Sequence, residues 1–416
     1  MRSLRSLCSL RSCAALALLV SALATDAAVA APLDLVGAYD PGSNGFNASA
    51  VGLDDVAYLG SWGGPGACPA YGVRLIDVRQ PQAPAPLAIA AQYSGTTAEH
   101  LAAVHFLTSD FTGNVLFAGI QRCQANGGAV AGLAIWDVSD PKNPTELGFF
   151  DTGRGSRGVH EFTVGERNGR WYAYLAVPNS EVSGGRGDLR VVDVTDPRQP
   201  TEISDWGARR DAGLPVGTGQ QCAPACRGSV PQAFLHSVAL SADGTTAYLS
   251  YWDLGVIILD VSEPAAPRWV GRFAEPESAE GNTHSISLAH NGMLMLVGDE
   301  TFGPPWGRLR LVDIQDPANP VQVGSFDTAD SAAGTPGEQY AYTIHNPLTD
   351  DRDQNRAYLA WYADGVRLVD VSDASHPSEI AAWVPPQAPM VWNVAFSGDL
   401  LLVGDINNGL FVLRRA

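Results

Sequence analysis

One phrase is written six times along this chain, and copies of a buried strand at such intervals have to stack on one another. Residues 365–377 read GVRLVDVSDASHP. The other copies are GVRLIDVRQPQAP at 72–84, GLAIWDVSDPKNP at 132–144, DLRVVDVTDPRQP at 188–200, GVIILDVSEPAAP at 255–267 and RLRLVDIQDPANP at 308–320. The shared aspartate falls at Asp77, Asp137, Asp193, Asp260, Asp313 and Asp370, at intervals of 60, 56, 67, 53 and 57 residues. Each copy is a run of β-branched and aliphatic residues, which predicts a buried strand, and the prolines of the following turn stop it. A further run follows each copy, such as TELGFF at 145–150. An aromatic-bearing run precedes it, such as AYLA at 357–360, and earlier still lies a fourth, such as HSVAL at 236–240. Four short strands per unit describe a propeller blade, which cannot cover both its faces alone and therefore packs against its neighbours around an axis.

Counting units gives an all-β, seven-bladed β-propeller over residues 31–416, as one domain. Six copies are complete or nearly so, and a seventh starts at Val391 and ends in GLFVL at 409–413, one strand short. The missing strand is expected at the other terminus, where PLDLVGAYD at 32–40 matches PTELGFFD at 144–151. An N-terminal strand completing the last blade closes the ring and leaves no open sheet edge there.

The six phrases resemble the LVIVD repeat family of β-propellers, across nearly the whole of residues 31–416. The resemblance implies the fold and says little about activity, because one fold hosts many chemistries. In outline, the architecture is also similar to that of carotenoid-cleaving dioxygenases, which hold iron on axial histidines, and of selenium-binding proteins. None of their sequence motifs stands here, so neither activity carries over.

Residues 1–30 read as a signal peptide: Arg2, Arg5 and Arg11 precede an apolar run too short to span a bilayer comfortably, and Ala28-Val29-Ala30 forms a cleavage site before Ala31. The expected location is the periplasm or the exterior of the cell. Removing three Arg and one Asp takes the formal charge from −18 to −20, and Lys142 is the only lysine. Such a surface argues against nucleic acid and anionic membrane as partners, and no segment of the mature chain has the length and apolarity of a membrane span. Four cysteines remain in the mature chain. In an oxidising compartment, Cys222 and Cys226 are expected to pair, and Cys68 and Cys123, in the same loop of consecutive blades, are placed to meet; a metal site at Cys222/Cys226 is the lesser reading. The pair at 222 and 226 lies in an insertion, residues 207–231, read as either a lid or a surface loop.

Five of the eight histidines open the first strand of consecutive units: His100, His160, His236, His284 and His345. The last unit has Trp392 there, and the first has no histidine. The first strand of a blade lines the central channel, so these imidazoles are expected to converge at one mouth. Converging imidazoles on a rigid frame suit Fe, Cu, Zn, Mn or Ni. Glu99 and Glu161 adjoin two of the five and are expected to orient them as hydrogen-bond acceptors. The blander reading is a histidine ring with a purely structural role. Loops after the second strands bring Trp252, Asp253, Glu300, Trp361 and Tyr362 to the same mouth, which with Trp392 make an expected pocket rim. The repeated aspartates read as turn formers. No nucleophile elbow, zinc-protease helix, phosphate loop or dinucleotide fingerprint is present, so no residue is assigned as catalytic.

The function expected from these residues is a metal-dependent oxidoreductase or lyase acting on a small organic molecule. The alternative is a non-catalytic extracytoplasmic scaffold that recognises a protein or glycan through its loops.

Overall fold

The computed structural model of the protein describes residues 31–416, apart from 44, 64–66, 124–127, 154, 229 and 277–278. The expected signal peptide at 1–30 lies outside the described residues. The chain is an all-β propeller, and its only α-helices among the described residues are three single turns, Ser180–Gly184, Ala208–Ala212 and Ala329–Ala333.

Each repeated phrase is the third strand of a four-stranded antiparallel meander. One such unit runs Leu235–Leu240, Thr246–Tyr251, Gly255–Asp260 and Arg268–Phe273, each strand pairing with the next. The next runs Thr283–Ala289, Leu294–Asp299, Leu309–Asp313 and Val321–Phe326. The units beginning at Asn47, Thr96, Phe162 and Pro347 repeat the order. The last has three strands in sequence, Val391–Ser397, Leu400–Asp405 and Gly409–Arg414, and takes its fourth, Leu35–Tyr39, from the N-terminal side. Leu35 pairs with Leu413 and Tyr39 with Leu410, so this strand lies where the fourth strand of every other unit lies.

The phrase itself explains its turn. In all six copies the aspartate accepts the backbone N–H two residues on, from Arg79, Ser139, Thr195, Ser262, Gln315 and Ser372, at 2.8–3.0 Å. A carboxylate in that position satisfies a donor that the ending ladder leaves free. The opening glycine is needed for a different reason. At Gly365, φ is +78°, and a β-carbon would lie 2.3 Å from the Trp383 carbonyl oxygen of the neighbouring strand. Between units, apolar faces pack into successive cores, such as Val256, Ile258, Met295, Val297 and Val312 between the two units just described.

Two disulfides tie loops on this frame. Cys68 and Cys123, from consecutive units, lie with Cα atoms 6.0 Å apart, and Cys222 pairs with Cys226 within the insertion. The first closes a span of 55 residues and the second a span of only 4. Loop entropy scales with the logarithm of that span, giving roughly 4 kcal/mol for the first and roughly 2 for the second as upper values. The double replacement Cys68→Ser, Cys123→Ser should therefore cost clearly more stability in urea unfolding than Cys222→Ser, Cys226→Ser. Equal midpoints would contradict the assignment of the first bridge as the main covalent clamp between units.

Candidate metal centre

The side chains at the channel mouth are aimed by a backbone irregularity. In the unit at 235–240, Leu235 pairs with Tyr251 and Ser237 with Ser250, which leaves His236 as an extra residue. The same slip places His284 between Thr283 and Ser285, and Trp392 between Val391 and Asn393. A β-bulge turns the extra residue out of the alternation of the strand, here toward the axis. His160 and His345 stand just before their strands and are held by backbone bonds to the Ala176 and Ala360 carbonyls, at 3.0 and 2.9 Å. The rings then touch in series: His160 to His236 at 4.2 Å between centroids, His236 to His284 at 4.0 Å, His284 to His345 at 4.3 Å and His345 to Trp392 at 4.3 Å.

His100 does not join them. The bulge in its strand holds two residues, Glu99 and His100, between Ala98 and Leu101. The backbone bonds decide which of them is equivalent to the histidines. Ser237 Oγ donates to the His284 carbonyl and Ser285 Oγ to the His345 carbonyl; by the same pattern Ser49 Oγ donates to the carbonyl of Glu99. Glu99 therefore occupies the axial position, while the His100 ring packs edge-on against Phe162 at 5.0 Å. His100 thus lies apart from the four touching histidine rings, and Glu99, expected behind a histidine, stands beside His160.

The second tier comes from the ends of the second strands. Near the end of each lies a small residue (Gly60, Gly119, Ala176, Ser250, Gly298, Ala360 and Gly404); at Gly404 a β-carbon would lie 2.4 Å from the Ala48 carbonyl of the next unit. Two residues beyond that small residue lie Trp62, Gln121, Pro178, Trp252, Glu300, Tyr362 and Ile406, and all of them line one cavity of about 730 Å³ with His160, His236, His284 and His345. Side chains along extended backbone alternate, so the intervening residue points away. That is why Trp361 is absent from the rim: it is fully buried in the core and donates Nε1–H to the Tyr342 carbonyl. Asp253, one residue too far on, instead accepts the backbone N–H groups of Arg227, Gln232 and Asn282 and anchors the insertion. The insertion reaches the cavity through Val230, with Gln232 just beyond its end. Tyr340, Phe302, Trp62 and Gln121 also line the cavity without having been singled out in the sequence.

Hydrogen bonds divide the histidines into two kinds. Nδ1 of His284 lies 3.0 Å from the His345 carbonyl, and Nδ1 of His345 lies 2.5 Å from the Trp392 carbonyl. A carbonyl only accepts, so each Nδ1 carries the proton and each Nε2 keeps its lone pair. Glu300 faces both lone pairs, at 3.7 Å from His284 Nε2 and 4.0 Å from His345 Nε2, and accepts a 2.5 Å bond from the Tyr362 hydroxyl. His160 differs. Its Nδ1 lies 2.6 Å from the Gln121 amide nitrogen and 3.4 Å from Glu99, and its Nε2 lies 2.7 Å from His236 Nε2. Burial works against charge on both members of the first pair, but their mutual attraction wins: the His160 pKa is raised and that of Glu99 lowered. With Nδ1 facing the Gln121 amide donor, the His160 proton on Nε2 is the one shared with His236.

Burial and the neighbouring rings hold the other imidazoles neutral: His236 and His284 lie far below their ordinary value, and His345 is pushed down to about 3. Burial pushes Glu300 up to about 7 and Glu161 up to about 8. A pH dependence follows. A carboxylic acid whose folded value exceeds its unfolded one stabilises the fold fully below the unfolded value and loses that contribution as pH rises through the folded one. The metal-free protein should therefore lose stability, by at least ~1 kcal/mol, between pH 6.5 and 8.5, as Glu300 and Glu161 ionise in place. The lowered histidines do not oppose this, since their contribution is complete above pH ~6.5. Melting temperatures at fixed ionic strength test it, and a rise over that interval would contradict the assignment.

Two trios of donor atoms lie within 4.8 Å of one another: His284, Glu300 and His345, and Glu161, His236 and His284. The first fits a cation better. Its imidazoles already present lone pairs, whereas His236 has one nitrogen engaged by His160 and the other, Nδ1, buried without a partner. Two donors each about 2.1 Å from one ion are at most about 4.2 Å apart; Glu300 Oε2 stands 3.7 Å from His284 Nε2 and Oε1 stands 4.0 Å from His345 Nε2, within that limit. His284 belongs to both trios and has only Nε2 to offer, so one ion is the most that it can serve.

LVIVD repeats match this chain at residues 129–152, 236–275, 304–328, 354–383 and 389–413. No curated protein matches it significantly in sequence. Among solved structures it is similar to a candidate 6-phosphogluconolactonase of Bacteroides uniformis (14% identity, TM-score 0.57, covering 88% of this chain and 93% of that one). It is likewise similar to the periplasmic gluconolactonase of Pseudomonas aeruginosa (13%, TM-score 0.60, 89% and 92%). Raptor of Chaetomium thermophilum matches at 12% and TM-score 0.60, over 92% of this chain and 29% of that one. At such identities the likeness concerns the propeller fold alone.

Proposed function

This chain is a β-propeller of LVIVD repeats, and we propose that the centre of its ring is a transition-metal site of an enzyme that acts on a small organic molecule. In this reading the meanders around the ring are seven blades, the last closed by Leu35–Tyr39. His284, His345 and Glu300 hold the ion. Three protein ligands leave coordination positions open to the cavity, as catalytic sites do. The observation that carries the reading is the pair of Nδ1–H bonds to backbone carbonyls, which fix both rings with their lone pairs facing one carboxylate. Such bonds orient imidazole ligands in metal sites.

When bound, a transition metal supplies Lewis acidity or redox capacity to an oxygen-bearing substrate. The protein supplies the rest. Tyr362 holds the Glu300 carboxylate in place, and the Glu99–His160 pair keeps a proton available at one side of the same cavity. Aromatic rings line much of the wall. This arrangement suits oxidation or lyase-type cleavage. Fe, Cu, Zn, Mn and Ni all accept two imidazoles and a carboxylate.

The two disulfides, the acidic charge and the leader-like residues 1–30 support a place outside the cytoplasm, periplasmic or secreted. No helix among the described residues has the length and apolarity to cross a membrane. Elemental analysis of the purified mature protein tests the proposal: about one equivalent of a single transition metal is expected. A protein that stays metal-free after reconstitution would instead support a scaffold that binds its partners through the loops.

A further inference from the structure

We infer that the cavity takes a planar aromatic molecule with a hydroxyl on its edge, a phenol, with the ring against an arc of aromatic side chains and the hydroxyl toward the histidines. This deepens the enzyme reading and rests on it for the role of the ligand as substrate, though not for its binding. The arc is continuous. Trp252 meets Phe302 at 6.3 Å between centroids, Phe302 meets Tyr340 at 4.6 Å, and Tyr340 meets Tyr362 at 5.5 Å. Tyr362 meets Trp392 at 6.2 Å, and Trp392 meets Trp62 at 5.8 Å. All six residues line the cavity. Aromatic faces and edges attract further rings beyond the area that they bury.

Two of these rings are placed at a conformational cost. Tyr340 and Tyr362 have φ of +67° and +27°, a region that side-chain-bearing residues avoid, and their rings stack at an interplanar angle of 26°. Strain of this kind persists where the surrounding structure demands it, and it gathers at ligand sites. Below the arc the floor is polar, with His284, His345 and Glu300. A ligand spanning both needs an apolar face and a polar edge.

A cationic ligand fits less well. Glu99 is engaged by His160 and Gln121, and Glu300 by Tyr362. Glu338 remains, but it lies at the exposed rim, where the guanidinium of Arg157 also lines the cavity. The carboxylates inside are thus already committed, and a metal ion would add positive charge.

The test is tryptophan-fluorescence titration of the chelator-treated protein with 4-methylphenol, 4-methylcyclohexanol and benzyltrimethylammonium, repeated after metal loading. The cresol should quench saturably and bind at least about tenfold more tightly than its saturated analogue, which has the same size and hydroxyl but no ring face. Tyr340→Leu, at a half-buried position, should weaken the cresol at least about fivefold with an unchanged melting temperature; Trp252→Leu should do the same if it folds. Equal binding of the saturated alcohol, tighter binding of the ammonium ion, or no binding of the cresol would each overturn the inference. The first titration needs no metal, so failure of the metal proposal leaves it readable, and failure of the aromatic preference leaves the metal content untouched.

Discussion

Glu300→Gln should strip the metal from the protein, weakening affinity by at least about 100-fold, while the propeller melts within a few degrees of the wild type. Gln keeps the shape of the side chain and an oxygen to accept the Tyr362 hydroxyl, so the packing around it survives. What it loses is the anionic donor facing the two lone pairs. Tyr362→Phe removes only the bond that orients Glu300, and a loss of about 10- to 100-fold is expected there. His284→Ala should abolish binding under either choice of trio, because its Nε2 serves both. The discriminating pair is therefore Glu300→Gln against Glu161→Gln. Loss in the first alone places the ion on His284, His345 and Glu300; loss in the second alone moves it to Glu161, His236 and His284. His105→Ala, at an exposed histidine paired with Asp54, should change nothing. Metal content by elemental analysis and competitive titration with a chromogenic chelator read all of these variants.

The histidine series could be read from letters because the repeat sets a register, which the fold keeps for His160, His236, His284 and His345. Where the letters misled, the reason is local. In AEHLAAV at 98–104 the histidine looks like its counterparts, yet the bulge there spans two residues, and the Ser49 bond fixes Glu99 as the equivalent one. Nothing in a single strand reveals a bulge of that width; the bond that settles it comes from another blade. The rim was open to a finer reading. Alternation along extended backbone separates Trp361 from Tyr362 once the small residue Ala360 is recognised as the point of close approach, and the same count finds Trp62 and Gln121. Tyr340 lies outside the repeat altogether. Its segment follows a fourth strand and a single-turn helix, as most of the insertion at 207–231 does, and the ring contacts with Phe302 and Tyr362 place it at the site.

Ring closure carries the second large effect. A chain that begins at Pro41 should lose cooperative folding, or melt at least ~10 °C lower, as expected when a several-kcal/mol contribution is removed from a domain of this size. The deletion removes the partner of Gly409–Arg414 and leaves that strand as an open edge, with Val412 and Leu410 uncovered. It also removes a tie between the last unit and the first. Gly37 lies so close to the turn at Pro81 and Gln82 that a β-carbon there would sit 2.1 Å from the Pro81 carbonyl oxygen. Without the strand, these two units are held chiefly by inner-edge contacts, such as the Asn393 side chain bonded to both the N–H and the carbonyl of Ala50. Topology supplies the control. Arg414 N–H bonds to the Asp34 carbonyl and Leu413 pairs with Leu35, so the end of the chain and the closing strand already meet as two arms of a hairpin. Moving residues 31–40 to follow Ala416 should therefore restore wild-type melting and metal content, because it turns the closing strand into the ordinary fourth strand of its meander. If the truncated chain melted like the wild type, the closing strand would be dispensable. If the permuted chain failed while the truncated one folded, the N-terminal position itself would matter, through the pairing of Ala31 and Pro32 with Ala381 and Ala382.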